Sequence, residues 1–117
     1  MAILADGQAP VEVQRGLAGE PEDENSRYLE ADVFGIRVVC IYLPNGNPVG
    51  TEKYPYKLRW MDRLATYARD RLSLEEPFVM AGDYNVLPTA IDVPNPEAWA
   101  GDALFLPQTR DKFSALK

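Results

Sequence analysis

The chain has no histidine among its 117 residues. No imidazole can act as base, acid or metal ligand, so its chemistry must rest on carboxylates, amides, hydroxyls and cations. There is one cysteine, Cys40. It excludes an intramolecular disulfide and, set in an apolar run, reads as a small buried thiol, in keeping with a reducing, cytoplasmic setting. Long apolar runs are missing too. The longest, Val38 to Leu43, is strand-sized, so no membrane span is expected. The start, Met1 to Asp6, lacks the basic region and cleavage pattern of a signal peptide. No internal repeat and no low-complexity segment is present. Positive charge is in deficit: the net charge is -6 and the sequence pI about 4.6, a balance that works against nucleic-acid binding.

The charge is unevenly spread. Glu20 to Glu24 is an acidic cluster, whereas Lys53, Lys57, Arg59, Arg63, Arg69 and Arg71 face only Asp62 and Asp70 over the stretch they span. Local fields of this kind can hold an anion that the overall balance repels.

What is present reads as one domain with a modest core, at an apolar content of 46%. Met1–Ala5 is expected as a short strand. Val11 to Arg15 and Arg27 to Val33 alternate apolar and polar residues, the strand period. Phe34-Gly35 is a tight connection to Ile36–Leu43, whose near-continuous apolar character predicts a central strand covered on both faces. After the turn Pro44-Asn45-Gly46-Asn47-Pro48, a helix is predicted from Lys53 or Pro55 to Leu72. Its apolar stripe is Leu58, Met61, Ala65, Ala68 and Leu72, widened by Trp60, Leu64 and Tyr67. Phe78–Gly82 reads as a buried strand, Glu97-Ala98-Trp99 as a short turn, and Gln108 to Lys117 as the start of a helix. The order predicts an α/β fold: a mixed, mostly antiparallel sheet with one long flanking helix. Both ends look cut.

The most informative stretch is Gly82-Asp83-Tyr84-Asn85-Val86-Leu87-Pro88-Thr89. If the chain stays extended, Asp83 and Asn85 point the same way. A carboxylate beside a carboxamide suits a divalent cation, a water and a phosphate. An Asp-x-Asn alone also simply begins a turn, but Gly82 permits close backbone approach, and strand C-termini are where α/β folds place ligands. Tyr42, at the exit of the most buried strand, can donate to a phosphate with Asn45 three residues on; alternatively the two cap the core and form a turn. Lys53, Lys57 and Trp60 combine cation and aromatic surface of the kind that holds a phosphate backbone, or form a solvated helix start over a core tryptophan. Asp92, Glu97 and Asp102 read as solvated charges.

Together these residues resemble the exodeoxyribonuclease III family of DNA-repair nucleases, in the endonuclease/exonuclease/phosphatase superfamily. Its Gly-Asp-x-Asn-x-x-Pro-Thr stretch matches Gly82 to Thr89, with Asp92 following, and its Tyr-x-Pro-[Asn/Gln]-Gly segment matches Tyr42 to Gly46. Glu97-Ala98-Trp99, Gly101 to Pro107 and Arg110 are similar to the bacterial branch. This tail disfavours a phosphoinositide or sphingolipid phosphodiesterase.

The resemblance implies Mg²⁺- or Mn²⁺-assisted hydrolysis of DNA phosphodiesters at abasic sites and from 3′ ends. Asp83 would be the base or water-orienting carboxylate, Asn85 its companion toward metal and phosphate, and Tyr42 a phosphate contact. Asn45, Lys53, Lys57 and Trp60 would bind substrate. It also implies a partial two-layered sandwich. Residues 1–117 would be a single central fragment, with the metal-binding Glu upstream and the catalytic His downstream. The expectations are near-inactivity alone, weak or no metal binding at Asp83 and Asn85, and possible homo-oligomers through exposed sheet edges. The alternative is a non-catalytic, self-associating or weakly DNA-binding fragment.

Overall fold

The alternating stretches and the β-branched run become strands β1 (Val11–Arg15), β2 (Tyr28–Val33) and β3 (Ile36–Tyr42) in the computed structural model, which describes residues 1–117. Helix α1 (Lys53–Leu72), strand β4 (Phe78–Asp83), two short 3-10 helices (Ala90–Asp92 and Pro96–Trp99) and helix α2 (Pro107–Leu116) follow. The expected helices and the later strands are all found, but β4 is not the buried strand expected of Phe78–Gly82: Val79 is 48% exposed and Ala81 to Asp83 are exposed, because β4 is an edge strand. Two compact units are built from these: residues 1–42 with 66–83, and residues 43–65 with 84–117.

The first unit is a sheet of order β1-β2-β3-β4. The pairs β1–β2 and β2–β3 are antiparallel and β3–β4 is parallel, the mixed, mostly antiparallel sheet expected. Phe34 and Gly35 turn the β2–β3 hairpin at φ 54° and 79°. Two successive positive φ values match the right-handed twist of paired strands. Asp32 Oδ1 accepts from the Gly35 amide at 3.1 Å and fastens the turn.

Pleating puts Tyr28 and Glu30 on one face with their register partners Ile41 and Val39. That face is dry: all four are buried, as is Ala68 from the C-terminal part of α1. At its centre is a carboxylate. Glu30 is fully buried and accepts from Tyr28 Oη (2.8 Å), Tyr67 Oη and Arg37 Nη1 (2.7 Å), while Arg71 Nη2 lies at 3.0 Å. A buried charge is tolerable only when paired and hydrogen-bonded, and here two guanidinium groups and two phenols do both. Burial pulls the Glu30 pKa up, but the hydrogen bonds from Tyr67, Arg37 and Tyr28 and the charge of Arg71 outweigh it, and the net shift is downward. Burial raises the Tyr28 and Tyr67 pKa values.

Two further expectations fail here. Ile36–Leu43 is not covered on both faces: Val39 and Ile41 are buried, but Ile36 is 45% exposed, because only one side of the pleat meets the dry layer. Met1–Ala5 forms no strand, because a strand needs a paired backbone and the sheet ends at β1.

The second unit takes the N-terminal part of α1. Thr51 Oγ1 accepts from the Lys53 amide at 3.3 Å, and Pro55 falls in the first turn, where a missing N–H costs little. The buried face is Tyr54, Lys57, Trp60, Met61 and Leu64. It is rotated from the predicted stripe, since Leu58 is only half-buried and the helix ends with Leu72 exposed. Tyr54 Oη meets Thr109 Oγ1 at 3.0 Å, Thr109 Oγ1 donates to the Ala103 carbonyl at 2.7 Å, and Tyr84 meets Phe113 edge-on at 5.6 Å. No helix is long and apolar enough to cross a membrane.

Candidate active site

Strands β3 and β4 run parallel, so their C-terminal ends reach the same edge of the sheet. Tyr42 is the register partner of Asp83 there. Both are exposed, Tyr42 by 46%. Gly82, one residue earlier, has φ 143°, and a Cβ on it would lie 2.0 Å from the Ile41 carbonyl oxygen. Only glycine lets β4 come this close to β3 and then deliver the carboxylate. Arg27 supports Tyr42: its guanidinium lies 5.0 Å from the ring centroid, its Nη1 donates to the Tyr42 carbonyl at 3.3 Å, and the Tyr42 amide donates back to the Arg27 carbonyl at 2.9 Å. A cavity of about 410 Å³ lies by the end of β1 and the start of β2, lined by Arg15, Asp23, Asn25, Ser26, Tyr28 and Leu29 among others, and neither Tyr42 nor Asp83 lines it.

In the second unit, Asn45 and Asn85 are drawn together through the main chain. Lys57 is fully buried, and its Nζ donates to the carbonyls of Asn45 (3.1 Å) and Asn85 (2.6 Å). Asn85 Nδ2 donates to the Leu43 carbonyl at 2.8 Å. Asn45 Oδ1 accepts from the Asn47 amide at 3.1 Å, on a residue that is exposed. Asn47 Nδ2 donates to Asp102 Oδ1 (3.1 Å), and Asn47 Oδ1 accepts from the Ala103 amide (3.1 Å). Thr89 and Asp92 form a capping box: the Thr89 amide and hydroxyl both donate to Asp92 Oδ2 at 2.8 Å.

The expected side-by-side presentation of Asp83 and Asn85 needed an extended chain through both. β4 ends at Asp83, and Asn85 adopts φ 46°, a left-handed conformation that asparagine tolerates. Lys53 is exposed at the start of α1, as a substrate contact requires. Lys57 and Trp60 were expected on a substrate-facing surface. Both are buried instead, because their i, i+3 spacing coincides with the inner face of α1. Asp92 and Asp102, read as solvated charges, are committed to the cap and to the Asn47 turn. Arg27 carried no signal in the sequence, since its meeting with Tyr42 comes from the β2–β3 pairing.

No group of three or more His, Cys, Asp or Glu is placed to hold a metal ion. The residues of this chain do not form a metal cage, and Asp83 is the carboxylate at the strand end.

The Endonuclease/Exonuclease/phosphatase family matches residues 6–115. An exodeoxyribonuclease of Bacillus subtilis is 31% identical over 107 residues, covering 92% of this chain and 42% of that protein. The structure of an AP endonuclease from Archaeoglobus fulgidus superposes with a TM-score of 0.83 at 35% identity. A Neisseria 3′ phosphatase, NExo (D146N), bound to product DNA hairpin, gives 0.85 at 30%. Each structural match covers 92% of this chain and 42% of the other. The chain belongs to the Endonuclease/Exonuclease/phosphatase family, as a member of exodeoxyribonuclease III type. It spans well under half the length of these relatives.

Proposed function

We propose that this chain carries the phosphate-binding and water-orienting residues of a DNA-repair nuclease that hydrolyses phosphodiesters at abasic sites and from 3′ ends. The observation that carries the reading is the register pairing of Tyr42 with Asp83 at one exposed sheet edge, behind a glycine that no other residue can replace without a clash. Asp83 orients the attacking water and takes its proton. Tyr42 and the NH₂ of Asn45 donate to phosphate oxygens, where negative charge grows in the transition state. Asn85 holds the turn after Asp83, Lys53 contacts the DNA backbone, and Arg27 steadies Tyr42. A divalent cation, Mg²⁺ or Mn²⁺, would neutralise phosphate charge when bound, and on this chain Asp83 would be the residue toward it, without the expected help of the Asn85 side chain, whose Nδ2 is committed to the Leu43 carbonyl. Lys57 and Trp60 are left out of the substrate contacts because they are buried.

The chain has no histidine and brings one carboxylate, Asp83, to the end of β4, so near-inactivity of these 117 residues alone is the expectation. Catalytic groups that act as a unit lose most of their rate when one is absent. The same two facts favour a second reading, a non-catalytic module that binds DNA weakly. Self-association is a further part of the proposal, through β4, an edge strand with Val79 48% exposed.

A chimera separates the readings. The 107 matched residues of the Bacillus subtilis exodeoxyribonuclease are replaced by those of this chain and assayed on abasic-site duplex with Mg²⁺. Incision that Asp83→Asn removes supports the nuclease. A folded but inactive chimera overturns it in favour of the binding module.

A further inference from the structure

We infer that Lys57 is a positioning residue, whose buried ammonium fixes the main chain of Asn45 and Asn85 and thereby sets where the Asn45 side chain meets substrate phosphate and where the turn at Asn85 lies. The inference rests on the nuclease reading above.

A buried ammonium has three donors to satisfy and nothing to gain from an apolar core. Here two of its hydrogen bonds go to the carbonyls of Asn45 and Asn85, in two segments far apart in the chain. Its stem is housed by a dedicated gap. Gly46 has φ +87°, and a Cβ there would lie 2.7 Å from Lys57 Cδ and 3.1 Å from Ala103 Cβ. The Leu43 carbonyl holds the Asn85 side chain, so the loop 43–46 and the turn at Asn85 are bound to each other twice, once through Asn85 Nδ2 and once through Lys57.

Packing alone does not call for a charge here. Methionine would fill much of the space of the lysine stem, but it would leave the Asn45 and Asn85 carbonyls without their donor. What methionine cannot do is hold two carbonyls at a common point. Neither the ammonium's donors nor its charge reach the substrate side, since Lys57 has no exposed surface. Its effect on the site therefore runs through the two asparagines.

The test uses the full 117-residue chain, labelled with ¹⁵N and ¹³C. In wild type, through-hydrogen-bond couplings are expected from Lys57 Nζ to both the Asn45 and the Asn85 carbonyl carbons. In Lys57→Met, the amide and side-chain resonances of Asn45 and Asn85 are expected to move together while those of the β2–β3 hairpin stay in place. Affinity for an abasic-site duplex is expected to fall about tenfold, the scale of one lost charged hydrogen bond. Lys57→Arg, which keeps charge and donors, is expected to recover part of that loss. The inference is overturned if the couplings are absent in wild type. It is also overturned if Lys57→Met folds with Asn45 and Asn85 unshifted, or changes only the melting temperature and leaves DNA affinity at the wild-type value. A Lys57→Met chain that does not fold leaves the wild-type couplings and Lys57→Arg to decide. Wild type that shows the couplings and coupled shifts but does not bind DNA contradicts the nuclease reading alone.

Discussion

Tyr42 and Asp83 are register partners at the ends of two parallel strands, so a phenol and a carboxylate leave one sheet edge side by side. Both are exposed, and their removal should cost function without costing fold. In the chimera, Asp83→Asn is expected to lower turnover by about 100-fold or more, the scale of a lost general base, with KM little changed. Tyr42→Phe, which loses a donor to oxygens that gain charge in the transition state, is expected to lower kcat as well, by less than Asp83→Asn. Melting temperatures of both variants of the 117-residue chain should stay close to wild type, which a thermal melt checks.

The buried Glu30 cluster predicts the opposite pattern, loss of fold rather than of function. Glu30→Ala leaves Arg37 and Arg71 without their shared counter-charge and is expected to destabilise by about 3–5 kcal/mol, read by urea titration. Replacing Glu30, Arg37 and Arg71 together with apolar residues should recover part of this.

The same cluster fixes the pH dependence of stability. The Glu30 pKa is lower folded than unfolded, so its contribution is fully present above about pH 5 and is lost as the pH falls through about 4 and below. The Tyr28 and Tyr67 pKa values are raised by folding, so stability should also fall as the pH rises past about 10, where the unfolded phenols ionise. In Glu30→Gln the acid limb should flatten. An unchanged acid limb would mean that other carboxylates carry it.

Gly82 and Asn85 make paired backbone predictions. A Cβ at residue 82 meets the Ile41 carbonyl oxygen at 2.0 Å and sits on a residue with φ 143°, so Gly82→Ala is expected to cost about 3 kcal/mol or more. Asn85→Ala loses the bond to the Leu43 carbonyl and keeps the left-handed φ of 46°. Asn85→Gly loses the bond but relieves the backbone, and it should be the more stable of the two by about 0.5–1 kcal/mol.

Much of this fold was legible in the sequence, because its signals are local. β1, β2 and β3 follow from alternation and β-branching, the Phe34-Gly35 turn from its glycine, and α1 from its length and spacing. Met1–Ala5 misled because a short apolar run cannot show whether a neighbouring strand exists to pair with it. The candidate site residues were picked out by residue type and motif, but their surroundings were not legible. Whether Lys57 faces DNA or the core depends on which way a 20-residue helix is turned, a matter of tertiary packing that the charge at that position does not reveal. Arg27 and Asp102 gained partners from pairing and turns elsewhere in the chain, whereas the partner of Asp92, Thr89, is local.

The most direct test of the account is a ¹⁵N shift map of the 117-residue chain titrated with a short duplex bearing one abasic site, with and without Mg²⁺. Salt-sensitive shifts centred on Tyr42, Asn45, Asp83 and Asn85, and lost from Asp83→Asn and Tyr42→Phe chains, are the result predicted. Binding centred elsewhere, on Arg110 and Lys112 for example, with those four residues unmoved, would contradict it.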